Sequence, residues 1–447
     1  MNELKLNNKR TILVGLAFLS ICSFWQMYDN LVPLILRGTF HLDEAYTGAI
    51  MASDNILALF LLPFFGGLSD RTSSRLGRRT PYILAGTAGA VILMNLLPIL
   101  DNSYSRQAAP FKLVSFIIVL GLLLIAMGTY RSPAVALMPD VTPKPLRSKG
   151  NAVINLMGAV GGVLYLGVSV LLYPAEVTRG QVHVNYQPLF IIVSAIMALS
   201  VAVLLLTIRE PKLAEENQAL EKAHPEWNLA KDDGSGEEVL PRPVKKSLAF
   251  LLASIALWYA GYNGVTTWFS TYVNEVMGEG IGGTNTCLMV ATVGAIVSYL
   301  PIGAAASKFG RKRTIQAGVV LLAACFASGF FMTRSAHTIT PPMYVVFALV
   351  GLAWAAINVN SLPMVVEMCR GSDVGKFTGY YYTASMTAQV ITPVLAGMLM
   401  RDISYQILFP YAAFFVAMSF VTMLFVRHGD SRAEVKTGLD AFEDMDD

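Results

Sequence analysis

Residues 66–81 read Gly66-Gly67-Leu68-Ser69-Asp70-Arg71-Thr72-Ser73-Ser74-Arg75-Leu76-Gly77-Arg78-Arg79-Thr80-Pro81. A small-residue stretch runs into an acid, then into a dense basic loop, and an apolar run lies on either side. The stretch returns in the second half of the chain as Lys308-Phe309-Gly310-Arg311-Lys312-Arg313-Thr314, again between two apolar runs. A second pair of segments repeats with it. Ser132-Pro133, Asp140 and Lys149-Gly150 follow one run, and Ser361-Leu362-Pro363, Glu367 and Gly375-Lys376 follow its counterpart. Basicity alone does not demand the repeated Gly or the Pro-then-acid order. The halves therefore read as a duplication.

The chain has 447 residues, of which 54% are hydrophobic and 14% charged. Soluble domains carry about 25% charged residues. The deficit excludes a disordered chain and argues against a cytosolic enzyme. A net charge of +3, with no basic stripe interleaved with aromatics, excludes nucleic acid as a partner. Cys22, Cys287, Cys325 and Cys369 sit in apolar surroundings with no ligand spacing, and read as core residues. No metal cluster, phosphate loop or nucleophile–base pair appears. No cofactor is expected.

A membrane-crossing helix needs about 20 mainly apolar residues. Such runs lie near 12–36, 46–68, 80–100, 112–138, 151–173, 187–208, 247–273, 284–306, 314–333, 342–367, 377–400 and 406–426. The first follows Lys9 and Arg10 but is too long for a signal peptide and has no small-x-small site after it, so it reads as an uncleaved span. Arg37, Arg106, Lys112, Arg179, Arg334 and Arg401 fall on one face and Arg131 inside a run. The rest of the 33 basic residues fall on the other face, which places both termini in the cytoplasm. The expected fold is an all-α membrane protein with twelve transmembrane helices in two six-helix pseudo-symmetric halves. The halves cover 1–209 and 247–428, joined by a solvated linker at 210–246, with an acidic cytoplasmic tail at 429–447. Parallel six-helix repeats of this kind are built around sites near the bilayer midplane.

The segment Gly66–Arg71 with Arg75-Leu76-Gly77-Arg78-Arg79 resembles the loop 2–3 motif of the major facilitator superfamily. The longer form through Thr80-Pro81-Tyr82-Ile83 is similar to the glycoside/sucrose–proton symporter branch, which is related to the glycoside–pentoside–hexuronide cation symporters. Ser132-Pro133-Ala134-Val135-Ala136-Leu137-Met138-Pro139-Asp140 resembles the same branch. That pattern carries an Arg where this chain has Val135; here Arg131 stands one helical turn earlier on the same face. The resemblance implies proton-coupled symport of a neutral glycoside, such as sucrose or maltose, by alternating access. A proton-coupled antiporter for an amphipathic compound or lipid-linked sugar stays open as an alternative. It also implies a cytoplasmic gating network of Asp70, Arg71, Arg75, Arg78, Arg79 and Asp140, mirrored by Arg311 and Glu367. The expected setting is a cell membrane, taken as a bacterial inner membrane, with the protein a monomer in the bilayer.

Asp29, Asp54 and Arg131 lie inside apolar runs, where a charge costs roughly 2.5–3.5 kcal/mol. At 1.5 Å per residue, Asp29 lies about 25 Å along the first run and Asp54 about 12 Å into the second, which puts them at similar depth. Two neighbouring carboxylates resist joint ionisation, so Asp29 and Asp54 form the candidate proton site. Arg131 lies about 10 Å from its run's inner end, leaving a gap in depth to Asp29. No His lies at a span centre, so coupling must use carboxylates, with sodium the next candidate after the proton. Trp25, Gln26 and Asp29 share a face. With Arg131 and Asn155 they form one set of candidate sugar contacts; Tyr259, Asn263, Asn358 and Gln389, in the second half, form another. Trp268 is either a further wall residue or an interface aromatic. Gly158 and Gly162, four apart, mark a face for close helix contact.

Overall fold

The computed structural model describes residues 6–174, 178, 181, 183–224, 241–336, 338–368 and 374–430. Cys369, Arg179, His337, most of the expected tail and the middle of the expected linker lie outside the described residues. The described residues form thirteen α-helices. These are α1 (Asn8–Gly38), α2 (Glu44–Arg71), α3 (Thr80–Arg106), α4 (Pro110–Asp140), α5 (Arg147–Leu172), α6 (Gln187–Thr207), α7 (Glu210–Ala223), α8 (Arg242–Met277), α9 (Ile281–Phe309), α10 (Arg311–Ser335), α11 (Pro341–Val366), α12 (Val374–Asp402) and α13 (Leu408–Leu424). All but α7 are long and apolar enough to cross a membrane, which gives twelve candidate spans, one in each expected run. Lipid offers no hydrogen-bond partner to the backbone, so a run of this composition closes its amides within a helix.

Local chemistry sets the ends. Asn7 caps α1 by accepting from the Arg10 amide at 3.1 Å. Proline stands in the first turn of α3, α4, α6, α8 and α11, where no amide is lost. Gly278, at φ +63°, ends α8. Gly77 and Gly310 have φ of +111° and +93°; Gly310 directly precedes α10, and Gly77 stands two residues ahead of the N-cap of α3, Arg79. The glycine repeat in the sequence is thus a repeat of backbone shape.

Two units divide the chain. The first holds Met1–Leu42 and Ser53–Trp227, the second Asp43–Ala52 and Asn228–Asp447. In the first unit α1 packs on α5 and α6, and α3 on α4 and α6. In the second, α11 lies against both α9 and α10, and α8 against α12 and α13. The first turns of α2 belong to the second unit. The Glu44 carboxylate accepts from the Tyr405 hydroxyl, and Arg401 lies 3.9 Å from Asp43. Gly48 sits so close to the Pro393 carbonyl that a Cβ would not fit.

The expected linker also differs. Its first fourteen residues form α7, which docks on the first unit. Asn217 Nδ2 donates to the Asp140 and Thr142 carbonyls at 3.1 and 3.3 Å, and Arg147 pairs with Glu221 at 2.8 Å. Polar residues of α7 meet the carbonyls at the C-terminal end of α4, so a charged composition here signals docking to helix ends instead of solvation.

The closest helix contact shown in α5 is at Gly161, whereas at Gly162 a Cβ would meet only Gln26 Oε1, at 3.7 Å. Ser23 donates to the Gly161 carbonyl at 2.8 Å, and a Cβ on Gly161 would run into the Leu19 carbonyl of α1. Gly161→Ala should therefore force α1 from α5 and cost about 1–3 kcal/mol. Gly167→Ala, with nothing within 4 Å of its Cβ position, should be near neutral. Melting temperatures of the two purified variants in detergent test the contrast.

Candidate functional site

The first unit gathers its ionisable groups along one strip. On α1 the residues Phe24, Met27, Tyr28 and Leu31 are buried, whereas Cys22, Trp25, Gln26 and Asp29 are half-buried, spaced along one helical face. Asp54 on α2 and Arg131 on α4 are half-buried as well. Asp54 lies within electrostatic range of Asp29 on one side and Arg131 on the other. Its Oδ1 accepts from the amide and side chain of Asn55 at 2.6 and 2.8 Å. The Arg131 guanidinium lies 5.7 Å from the centre of the Trp25 ring, a cation–π distance.

Arg131 is aimed by its neighbour. The buried Tyr130 hydroxyl donates to the Ala17 carbonyl at 3.0 Å and meets Ser20 Oγ at 2.5 Å, which fastens α4 to α1. On the other side, Gly86 of α3 admits the Tyr130 backbone so closely that no side chain fits between. Ser132 Oγ donates to the Leu62 carbonyl at 2.9 Å and fixes α4 to α2. The two expected carboxylates are thus brought together, and the one on which Arg131 acts is Asp54. Depth arithmetic left a gap between Arg131 and Asp29; the acid within range of Arg131 is Asp54. Gln26 lies beside Gly162 of α5, with its Oε1 3.7 Å from the glycine's Cβ position, and Asn155 is buried on the same helix. Trp25 Nε1 and the Tyr28 hydroxyl are buried without a hydrogen-bond partner among the described residues.

The second unit holds an aromatic group. Tyr262 of α8 stacks on Trp354 of α11 with ring centres 3.7 Å apart and planes at 5°. Tyr259 meets the edge of Trp354 at 5.3 Å, and its hydroxyl lies 3.1 Å from that of Tyr381 on α12. Tyr381 also reaches Ser361 Oγ at 3.1 Å. Asn263 Nδ2 is buried without a hydrogen-bond partner among the described residues, Asn358 is 3% exposed, and Gln389 is half-buried on α12. Trp268 is neither wall nor interface. It is wholly buried, and its Nε1 donates to the Pro393 carbonyl at 3.0 Å. Tyr381 was hidden in the sequence inside a run of three tyrosines; only the helical register buries it and leaves Tyr380 and Tyr382 exposed.

At the loop that follows α2, Arg79 is the hub. It contacts Asp70 at 2.5 Å, Asp140 at 2.8 Å and Ser69 Oγ at 2.6 Å, and it is 5% exposed. Arg78 reaches Asp140 at 3.4 Å. Arg71 and Arg75 are exposed and make no ion pair among the described residues, so the structure does not bring them into this network. In the second unit Arg311 pairs with Glu367. Glu210, expected in solvated linker, is buried at the centre of the first network. Its carboxylate accepts from the amides of Arg78, Arg79 and Thr80 at 2.7–3.1 Å and from the Thr80 hydroxyl at 2.7 Å. It caps α3, whose own N-cap residue, Arg79, has no acceptor. That missing cap was the available signal. Asp430 plays the matching part in the second unit, accepting from the Lys312 amide at 2.8 Å at the start of α10.

Charges held among apolar spans, with an ion-pair network at the helix ends, define a membrane transport protein by class. The sequence profile of the Major Facilitator Superfamily matches residues 14–300 and again 283–442, and the chain belongs to that superfamily. Among curated relatives, sucrose transport protein SUC3 of Arabidopsis thaliana is 33% identical over 31% of this chain and 25% of its own length. Sucrose transport protein SUT3 of Oryza sativa subsp. indica is 28% identical over 42% of this chain and 41% of its own. Proton-associated sugar transporter A of Mus musculus is 25% identical over 31% and 21%. The chain thus spans less than half the length of each of these relatives. The fold is that of the xylose transporter XylE from E. coli in its inward-open form, with a TM-score of 0.66 at 16% identity over 96% of this chain and 97% of that one.

Removing the Glu210 carboxylate strands several buried amides. Glu210→Ala should cost about 1–3 kcal/mol and loosen α7 from the unit. The exposed Glu215→Ala should change stability little. Thermal unfolding of both variants, with limited proteolysis of the segment after α7, checks the difference.

Proposed function

We propose that the protein is a secondary active transporter that carries a neutral glycoside, a disaccharide such as sucrose or maltose, together with a proton by alternating access. The observation that carries this reading is the half-buried pair Asp29 and Asp54 beside Arg131 and Trp25. Two neighbouring carboxylates, one of them beside a guanidinium, titrate as a coupled pair. Protonation of Asp29, together with Asp54, alters the charge presented to Arg131, and with it the strength with which Arg131 holds a sugar hydroxyl. Trp25, Gln26 and Asn155 supply the ring face and amides that a neutral sugar needs in the first unit. In the second unit the Tyr259–Trp354–Tyr262 group offers stacking surface, and Asn263, Asn358 and Gln389 offer hydrogen bonds. The relatives named for sucrose and proton-associated sugar transport support the substrate class. Asp70, Arg78, Arg79, Asp140, Arg311 and Glu367 form the gating network, and the protein works as a monomer in a cell membrane with both termini cytoplasmic.

Proteoliposomes with an imposed proton gradient test this. The wild-type chain should accumulate labelled sucrose or maltose uphill and alkalinise the outside. Asp29→Asn should keep sugar exchange and lose uphill accumulation, so that internal sugar stops at the external level. Unchanged accumulation in that variant would remove Asp29 from coupling. Proton-driven export of an amphipathic dye, with no pH change evoked by any sugar, would overturn the symport reading in favour of an antiporter.

A further inference from the structure

In the second unit, α9 and α10 are joined by the single residue Gly310 and both lean on α11, but they make little contact with each other. The wedge left between them is a cavity of about 380 Å³. Ala305 of α9, Ala317 and Leu321 of α10 and Leu352 of α11 form its walls, and Phe309 and Arg313 stand at its end beside the helix junction. The walls are apolar, and Ala305 and Ala317 leave room that larger side chains would fill. Arg313 is exposed and makes no ion pair among the described residues, whereas its neighbours Arg311 and Lys312 are engaged, with Glu367 and with the Val426 carbonyl. Lys308 lies 5.4 Å over the Phe309 ring and adds a second positive charge at the same end.

We propose that this wedge binds one anionic phospholipid, with an acyl chain between α9 and α10 and the headgroup phosphate on Arg313. The shape accounts for the chain: a slot walled by alanines and leucines on membrane-crossing helices has only lipid tails to fill it. The charge accounts for the headgroup: a guanidinium takes phosphate through paired N–H donors, and basic pockets between transmembrane helices select anionic lipids. The inference rests on the fold of the second unit and is independent of what the protein carries.

The test is the melting temperature of the purified full-length chain in neutral detergent, read with added phosphatidylglycerol, phosphatidylcholine or glycerol 1-phosphate. Phosphatidylglycerol should raise the melting temperature and the other two should not. Arg313→Gln should abolish the rise, Arg313→Lys should keep part of it, and Ala317→Leu, which fills the slot from an exposed position, should abolish it with every charge intact. An undiminished rise in Arg313→Gln or Ala317→Leu would overturn the proposal, as would an equal rise with phosphatidylcholine. An equal rise with glycerol 1-phosphate would assign the effect to a free phosphate and overturn the chain-binding part. Should Arg313→Gln fail to fold, Arg313→Lys and Ala317→Leu decide the matter alone.

Discussion

Arg131 carries a permanent charge on a helix whose surroundings are apolar, and a guanidinium in that position needs both an opposite charge and a polarisable surface nearby. Asp54 and the Trp25 ring supply them. The surrounding packing follows from that requirement. Tyr130 fastens α4 to α1, Gly86 lets α3 close behind it, and Ser132 fixes α4 to α2, so the charge is held by backbone contacts on three sides.

The helix ends obey a related constraint. An apolar span can close its own amides everywhere except in its first and last turns. In each unit a carboxylate from beyond the sixth span closes the third: Glu210 does so for α3, Asp430 for α10. In the second unit the relation is reciprocal, because Lys312 of α10 donates to the Val426 carbonyl just beyond α13. The duplication visible in the loop motifs therefore extends to the way distant helix ends satisfy each other.

Several candidate residues were legible because their chemistry is costly in place. Asp29, Asp54 and Arg131 stood out as charges in apolar runs, and the structure sets them within range of one another by way of Asp54. Glu210 was not legible as a site residue. An acid in a polar stretch looks ordinary, and its worth lies in amides 130 residues away. Arg71 and Arg75 show the reverse: a basic loop reads as one cluster, but only Arg78 and Arg79 face the acids.

Hydropathy, basic-residue placement and the repeated Gly are properties of the chain read in order. They were enough to determine the twelve spans and the six-and-six duplication. Pairwise matters needed the folded chain, because they depend on side-chain reach and helix tilt: which acid meets Arg131, which tyrosine of three is buried, and where α1 and α5 touch. Only the tertiary structure decided that α2 begins in the second unit, that the linker starts as a docked helix, and that a cavity of about 380 Å³ opens between α9 and α10. In each of these cases the controlling contact joins residues far apart in sequence, and no local pattern encodes it.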